Sequence, residues 1–134
     1  MIVWRDDLNI GVPAVDAQHQ QMVLIMNDFL QACAEQRGKS KIMETLDFLL
    51  HYTATHFGDE EQVMRDHHYP DYDNHKQEHE RFLQDVMILR QQVETHGITT
   101  LTTVKINRTL VDWVINHIQK NDQLIGNFMK ASHE

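Results

Sequence analysis

Four stretches of the chain place an apolar side chain every three or four positions, the repeat of a helix with one buried face. The first runs through Val15, His19, Met22, Val23, Met26, Phe29, Leu30 and Cys33 and stops near Gly38. The second starts around Ser40, read as its N-cap, and continues through Ile42, Leu46, Leu49, Thr53, His56, Phe57, Glu60 and Met64. The third follows Tyr69-Pro70-Asp71 and runs through Tyr72, His75, His79, Phe82, Val86, Leu89 and Val93 to Gly97. The fourth follows the threonine cluster at 99–103 and runs through Val104, Leu110, Trp113, His117, Ile118, Ile125 and Phe128. This pattern predicts helices over about 15–36, 41–66, 71–95 and 101–130, with 1–14 as an irregular N-terminal arm pinned by Trp4. The links between them are only a few residues long, which favours antiparallel neighbours. The expected fold is all-α, an up-down-up-down antiparallel four-helix bundle forming a single domain over 1–134.

The stripes are not purely apolar. His19, His56, Glu60, His75, His79, His117 and Asp122 occupy core positions, where an isolated carboxylate is normally neutralised, paired or bound to a metal. His56 and Glu60 are four apart, as are His75 and His79, so each pair shares one helix face. All four helices thus send donors inward, the way bundle cores build metal sites. Nitrogen and oxygen donors without thiolate suit iron, manganese or zinc. Seven donors exceed what one ion accommodates, and two carboxylates can each bridge, so a pair of ions is expected. His117 and Asp122 are five apart, a spacing a regular helix turns about 140° out of line. A π-type turn between Trp113 and Asp122 is the expected remedy.

Composition narrows the remaining classes. The formal charge is −8, with no block of Lys or Arg, which argues against nucleic acid or anionic membrane as a partner. No segment approaches the about 20 apolar residues of a membrane span, and the N-terminus lacks the pattern of a secretory signal. A cytoplasmic location is the expectation. The lone Cys33 reads as a small core residue. The other histidines, His51, His67, His68, His96 and His133, are assigned to the surface or to ordinary hydrogen bonding. Charged outer faces suggest a monomer.

These residues resemble the hemerythrins, and among them the single-domain bacterial type. The matching stretches are Val15-Asp16-Ala17-Gln18-His19, His56-Phe57-Gly58-Asp59-Glu60-Glu61, Tyr69-Pro70 leading to His75 and His79, and Trp113 before His117-Ile118 with Asp122 beyond. The resemblance spans essentially the whole chain, and its spacing of five between His117 and Asp122 agrees with the family. It implies two iron ions (Fe2+/Fe3+) joined by an oxo or hydroxo bridge, His75, His79 and His117 on one and His19 and His56 on the other. Glu60 and Asp122 would bridge them. The second ion is then one donor short, and dioxygen would bind there. Met22, Phe57, Trp113, Val114 and Ile118 flank the ligands and would line that pocket, while Asp59 and Glu61 are expected to point outward. The implied function is reversible dioxygen binding for transport, storage or local supply, without enzymatic turnover. Two alternatives stay open: a di-iron enzyme acting on peroxide, nitric oxide or nitrite, and an oxygen-sensing module read by a separate partner.

Overall fold

In the computed structural model, which describes residues 2–132, the chain forms four long helices and, among those residues, no strand. Helix α1 spans Pro13–Ala34, α2 Lys39–Asp66 and α3 Tyr72–His96. Helix α4 runs over 100–132 as α-helical Thr100–Ile106, Trp113–His117 and Gln123–Ser132, separated by π-helical turns at Asn107–Asp112 and Ile118–Asp122. The links are three to five residues long, so successive helices run antiparallel and each packs on its neighbour. The core is the sum of the four stripes. Phe29, Leu46, Leu49, Leu89, Leu110 and Ile118 are among its fully buried side chains.

Helix ends depart from expectation where local chemistry overrides the stripe. Helix α1 begins at Pro13, whose fixed φ suits the first helical turn, so the arm is two residues shorter than expected. Ser40 is not a cap. Gly38, at φ +94°, precedes the first residue of α2 and turns the chain there. Helix α4 starts inside the threonine cluster rather than after it. The Thr99 hydroxyl accepts from the Thr102 N–H, and the Thr102 hydroxyl accepts from the Thr99 N–H, a reciprocal cap.

The arm is built onto the bundle. Leu8 and Ile10 are fully buried, and Trp4 packs against the core as expected. Side chains of the helices hold its backbone. Asn27 exchanges two hydrogen bonds with Ile2, Asp16 accepts from the Ile10 and Gly11 N–H groups, and Gln123 donates to the Asn9 carbonyl at 2.8 Å. Gly126 lies directly against the Ile10 carbonyl. The 3-10 turn Asp6–Leu8 thereby sits on the π turn Ile118–Asp122.

The outer faces are less uniformly charged than expected. Leu24 and Phe48 are largely exposed and flank a groove of about 530 Å³ between α1 and α2. Cys33 is half-buried against the core, and burial pushes its thiol up to about 11.

Candidate metal centre

The seven donors meet at the bundle end where α1 and α3 begin and α2 and α4 finish. His19, His56, Glu60, His75, His79, His117 and Asp122 are all buried. Their arrangement is divided. Glu60 Oε1 lies 2.7 Å from His75 Nε2 and 3.3 Å from His79 Nε2, while Oε2 lies 3.3 Å from His56 Nε2 and 3.5 Å from His19 Nε2. Asp122 splits likewise. Its Oδ1 is 3.2 Å from both His75 and His117, and its Oδ2 is 3.0 Å from His19. One cluster therefore gathers His75, His79 and His117 with both carboxylates, and the other His19 and His56 with Glu60.

The π turn Ile118–Asp122 explains how α4 delivers two donors. The wider turn brings residues five apart back into line, so His117 and Asp122 both face the centre. This is the distortion expected from their spacing. The turn at Asn107–Asp112 was not foreseen, since no pair of donors brackets it.

Three observations fit this pocket to metal ions. Adjacent donors on an ion with bonds of about 2.1 Å stand about 3 Å apart, the range seen here. The Nε2 atoms of His79 and His75 lie 3.1 Å and 3.2 Å from that of His117, so three imidazole nitrogens converge on one point. His19 Nε2, Glu60 Oε2 and Asp122 Oδ1 are buried without a hydrogen bond, an arrangement that is costly unless something else engages them.

Outer partners turn the rings inward, as ligating imidazoles require. His56 Nδ1 is 2.7 Å from Gln18 Oε1, and the Gln18 amide in turn donates to Asp59 at 2.9 Å. His79 Nδ1 donates to Glu61 Oε2 at 2.9 Å. Behind His117, Asn121 and Glu78 contact each other, with Glu78 Oε2 3.4 Å from Nδ1. The expectation that Glu61 points outward is therefore wrong. A glutamate one position beyond Glu60 is long enough to reach back across to α3. Asp59 is exposed, as expected, yet it anchors Gln18. Gln18, Glu61, Glu78 and Asn121 were not singled out as functional. Their signal was adjacency to a ligand or a one-turn offset from it.

The side chains of the cluster balance one another's charge. Burial lowers His19 and His75, but Asp122 and Glu60 beside them more than offset this, lifting His19 to about 9 and His75 to about 10. Burial would raise Glu60, yet the imidazoles of His19, His56, His75 and His79 around it hold it well below the usual carboxylate range. Asp122 is likewise lowered. Burial and Glu60 oppose this, and the nearby His117 and His19 prevail.

Of the expected pocket residues, two touch ligand rings. Phe57 stacks on His79 at 3.8 Å between centroids, and Trp113 on His117 at 4.4 Å and on Phe82 at 4.0 Å. Met22, Val114 and Ile118 are buried in the core within a turn of His19 or His117. Among the remaining histidines, His51, His68 and His96 are exposed and His67 sets its Nδ1 2.9 Å from the Val63 carbonyl; His133 lies outside the described residues.

Fold and centre together define a buried cluster of five histidines and two shared carboxylates, able to hold metal ions, at one end of a four-helix bundle. The family description "Hemerythrin HHE cation binding domain" matches residues 10–128, and the chain belongs to the hemerythrin family. It is 31% identical over 132 residues to a bacteriohemerythrin of Stenotrophomonas maltophilia, covering 98% of this chain and 83% of that one. It is 35% identical over 123 residues to a bacteriohemerythrin of Pseudomonas aeruginosa, covering 90% of this chain and 76% of the relative. A myohemerythrin of Sipunculus nudus is 28% identical over 120 residues, with 90% and 87% covered. A crystal structure of wild-type hemerythrin superposes with a TM-score of 0.83 at 27% identity, covering 95% of this chain and 96% of that one. No helix among the described residues is long and apolar enough to cross a membrane.

Proposed function

We propose that this centre holds two iron ions and that the protein binds dioxygen reversibly, as a carrier, store or local supplier. The observation that carries the reading is the division of both carboxylates, with one oxygen of each toward a three-histidine side and the other toward His19 on the two-histidine side. His75, His79 and His117 would hold one iron, His19 and His56 the other, with Glu60 and Asp122 bridging alongside a solvent-derived oxo or hydroxo group. When bound, the iron pair would supply the electrons that dioxygen takes up and returns on release. With one imidazole fewer, the His19/His56 side would leave its ion one protein donor short.

The protein's own part is to hold these donors and keep water and protons away. His19 and His56 are sealed by buried core, with Met22 a turn beyond His19. Glu61 and Glu78 sit behind the Nδ1 atoms of His79 and His117, on the outer side of the centre, and Asp59 reaches His56 only through the Gln18 amide. No acid or base is thereby aimed from them at the two-histidine side, which favours binding over turnover.

Protein purified without added metal should carry two irons per chain, and its visible spectrum in air should bleach on purging with argon and return on re-aeration. Sustained consumption of peroxide, nitric oxide or nitrite would replace this reading with an enzymatic one. Absence of iron would remove it.

A further inference from the structure

The seven donors are unequally sealed. His19, His56, Glu60, His79 and Asp122 are at most 1% exposed, whereas His75 is 3% and His117 6% exposed. An ion reaching the centre through the native fold passes beside one of these two. The Glu78–Asn121 contact separates two clefts that lead to them. One, of about 260 Å³, carries Arg81 and Lys120 at its wall and ends on His117. The other, of about 40 Å³, is lined by Tyr69, Asp71, Glu78, Asn121 and Leu124 and ends on His75.

We propose that the smaller cleft, between Asp71 and Glu78, is the port through which divalent metal ions enter the centre. The proposal rests on the metal centre described above. Asp71 and Glu78 and no Lys or Arg line this cleft, so its field attracts a divalent ion, whereas in its neighbour Arg81 and Lys120 outweigh the shared Glu78. This cleft is the narrower of the two, and a hydrated ion that sheds water there meets carboxylate oxygens in place of what it loses. His75 forms the floor and completes the route, because its Nε2 already stands 2.7 Å from Glu60 Oε1 inside the centre. The Asp71 carboxylate thus acts on the rate of loading and not on the final holding of the ion.

The test is the loading of metal-depleted full-length chain with cobalt(II), followed by visible absorption, with helicity monitored by circular dichroism. At low ionic strength Asp71→Asn should slow uptake by about two- to fivefold, an effect that shrinks in high salt, while the end point stays at two cobalt per chain. Arg81→Gln with Lys120→Gln should load as fast as the parent or faster. Extraction of cobalt from the loaded, folded protein by a chelator uses the same path in reverse, so it should slow by the same factor in the first variant. Parent-like rates in the first variant, or slowed loading in the second, overturn the port. Weaker final binding at an unchanged rate also overturns it. A parent chain that takes up no cobalt would instead sink the centre itself.

Discussion

Replacing Gly126 with alanine sets two effects of opposite sign against each other. In a helix interior alanine is favoured over glycine by about 1 kcal/mol. At this position, however, the new Cβ would stand 2.0 Å from the Ile10 carbonyl oxygen, 3.0 Å from its carbon and 3.1 Å from the Ile10 Cβ. A carbon–oxygen contact needs about 3.3 Å, so arm and helix must part by roughly an ångström. The obstacle is backbone, held by the Ile10 N–H bond to Asp16, and cannot rotate aside. Lifting the arm re-exposes Leu8 and Ile10, at about 1.5–3 kcal/mol each. After the helical gain, the net loss is about 2–5 kcal/mol. For a domain of this size that lowers Tm by roughly 10 °C or more. Gly58→Ala is the control, since that glycine is exposed within α2 with nothing near its missing Cβ. It should raise Tm by a few degrees. Thermal melts of both variants followed by circular dichroism decide the matter. If Gly126→Ala melts at or above the parent, the arm does not close this end of the bundle as described.

Two further outcomes follow from the centre. Trp113 covers His117 beside the larger cleft, so Trp113→Ala should admit water and speed conversion in air to the ferric, non-binding form several-fold, measured as decay of the oxygenated absorbance; an unchanged rate would make the indole packing alone. In the metal-free protein His19 and His75 titrate at about 9 and about 10 instead of 6.5, so their stabilisation is complete below about pH 6.5 and is lost as pH climbs through 9 to 10. The metal-free form should therefore melt lower at pH 10 than at pH 6.5, by calorimetry, and a flat profile would refute the balance of charges drawn for these side chains.

Much of this architecture was legible in the residue pattern because the stripes and the ligand pairs share one period. His56 with Glu60, and His75 with His79, mark both a helix face and a chemistry. The misfit between His117 and Asp122 was informative for the opposite reason. Two donors that both had to face inward could be reconciled only by a wider turn. The turn at Asn107–Asp112 had no such pair to betray it. Glu61 was misjudged because helical phase gives the direction of a Cα–Cβ bond, whereas a long side chain chooses its own destination. Gln18 was hidden by its neighbour, for beside a histidine already read as a ligand an amide looks like ordinary surface. Helix ends eluded the stripe where Gly38 and Thr99 act through local backbone bonds that hydrophobic patterning does not encode.

The two wide turns of α4 carry a consequence for how its register is maintained. A π turn amounts to one residue inserted into an α-helix, and either version leaves the main chain hydrogen-bonded. Nothing in the backbone therefore prevents the inserted residue from being absorbed, which would swing everything downstream by about 100°. What holds the phase is cargo at the far end, namely Asp122 facing its imidazoles and Gln123 gripping the arm. Seen this way, α4 is a screw whose thread is set by its tip.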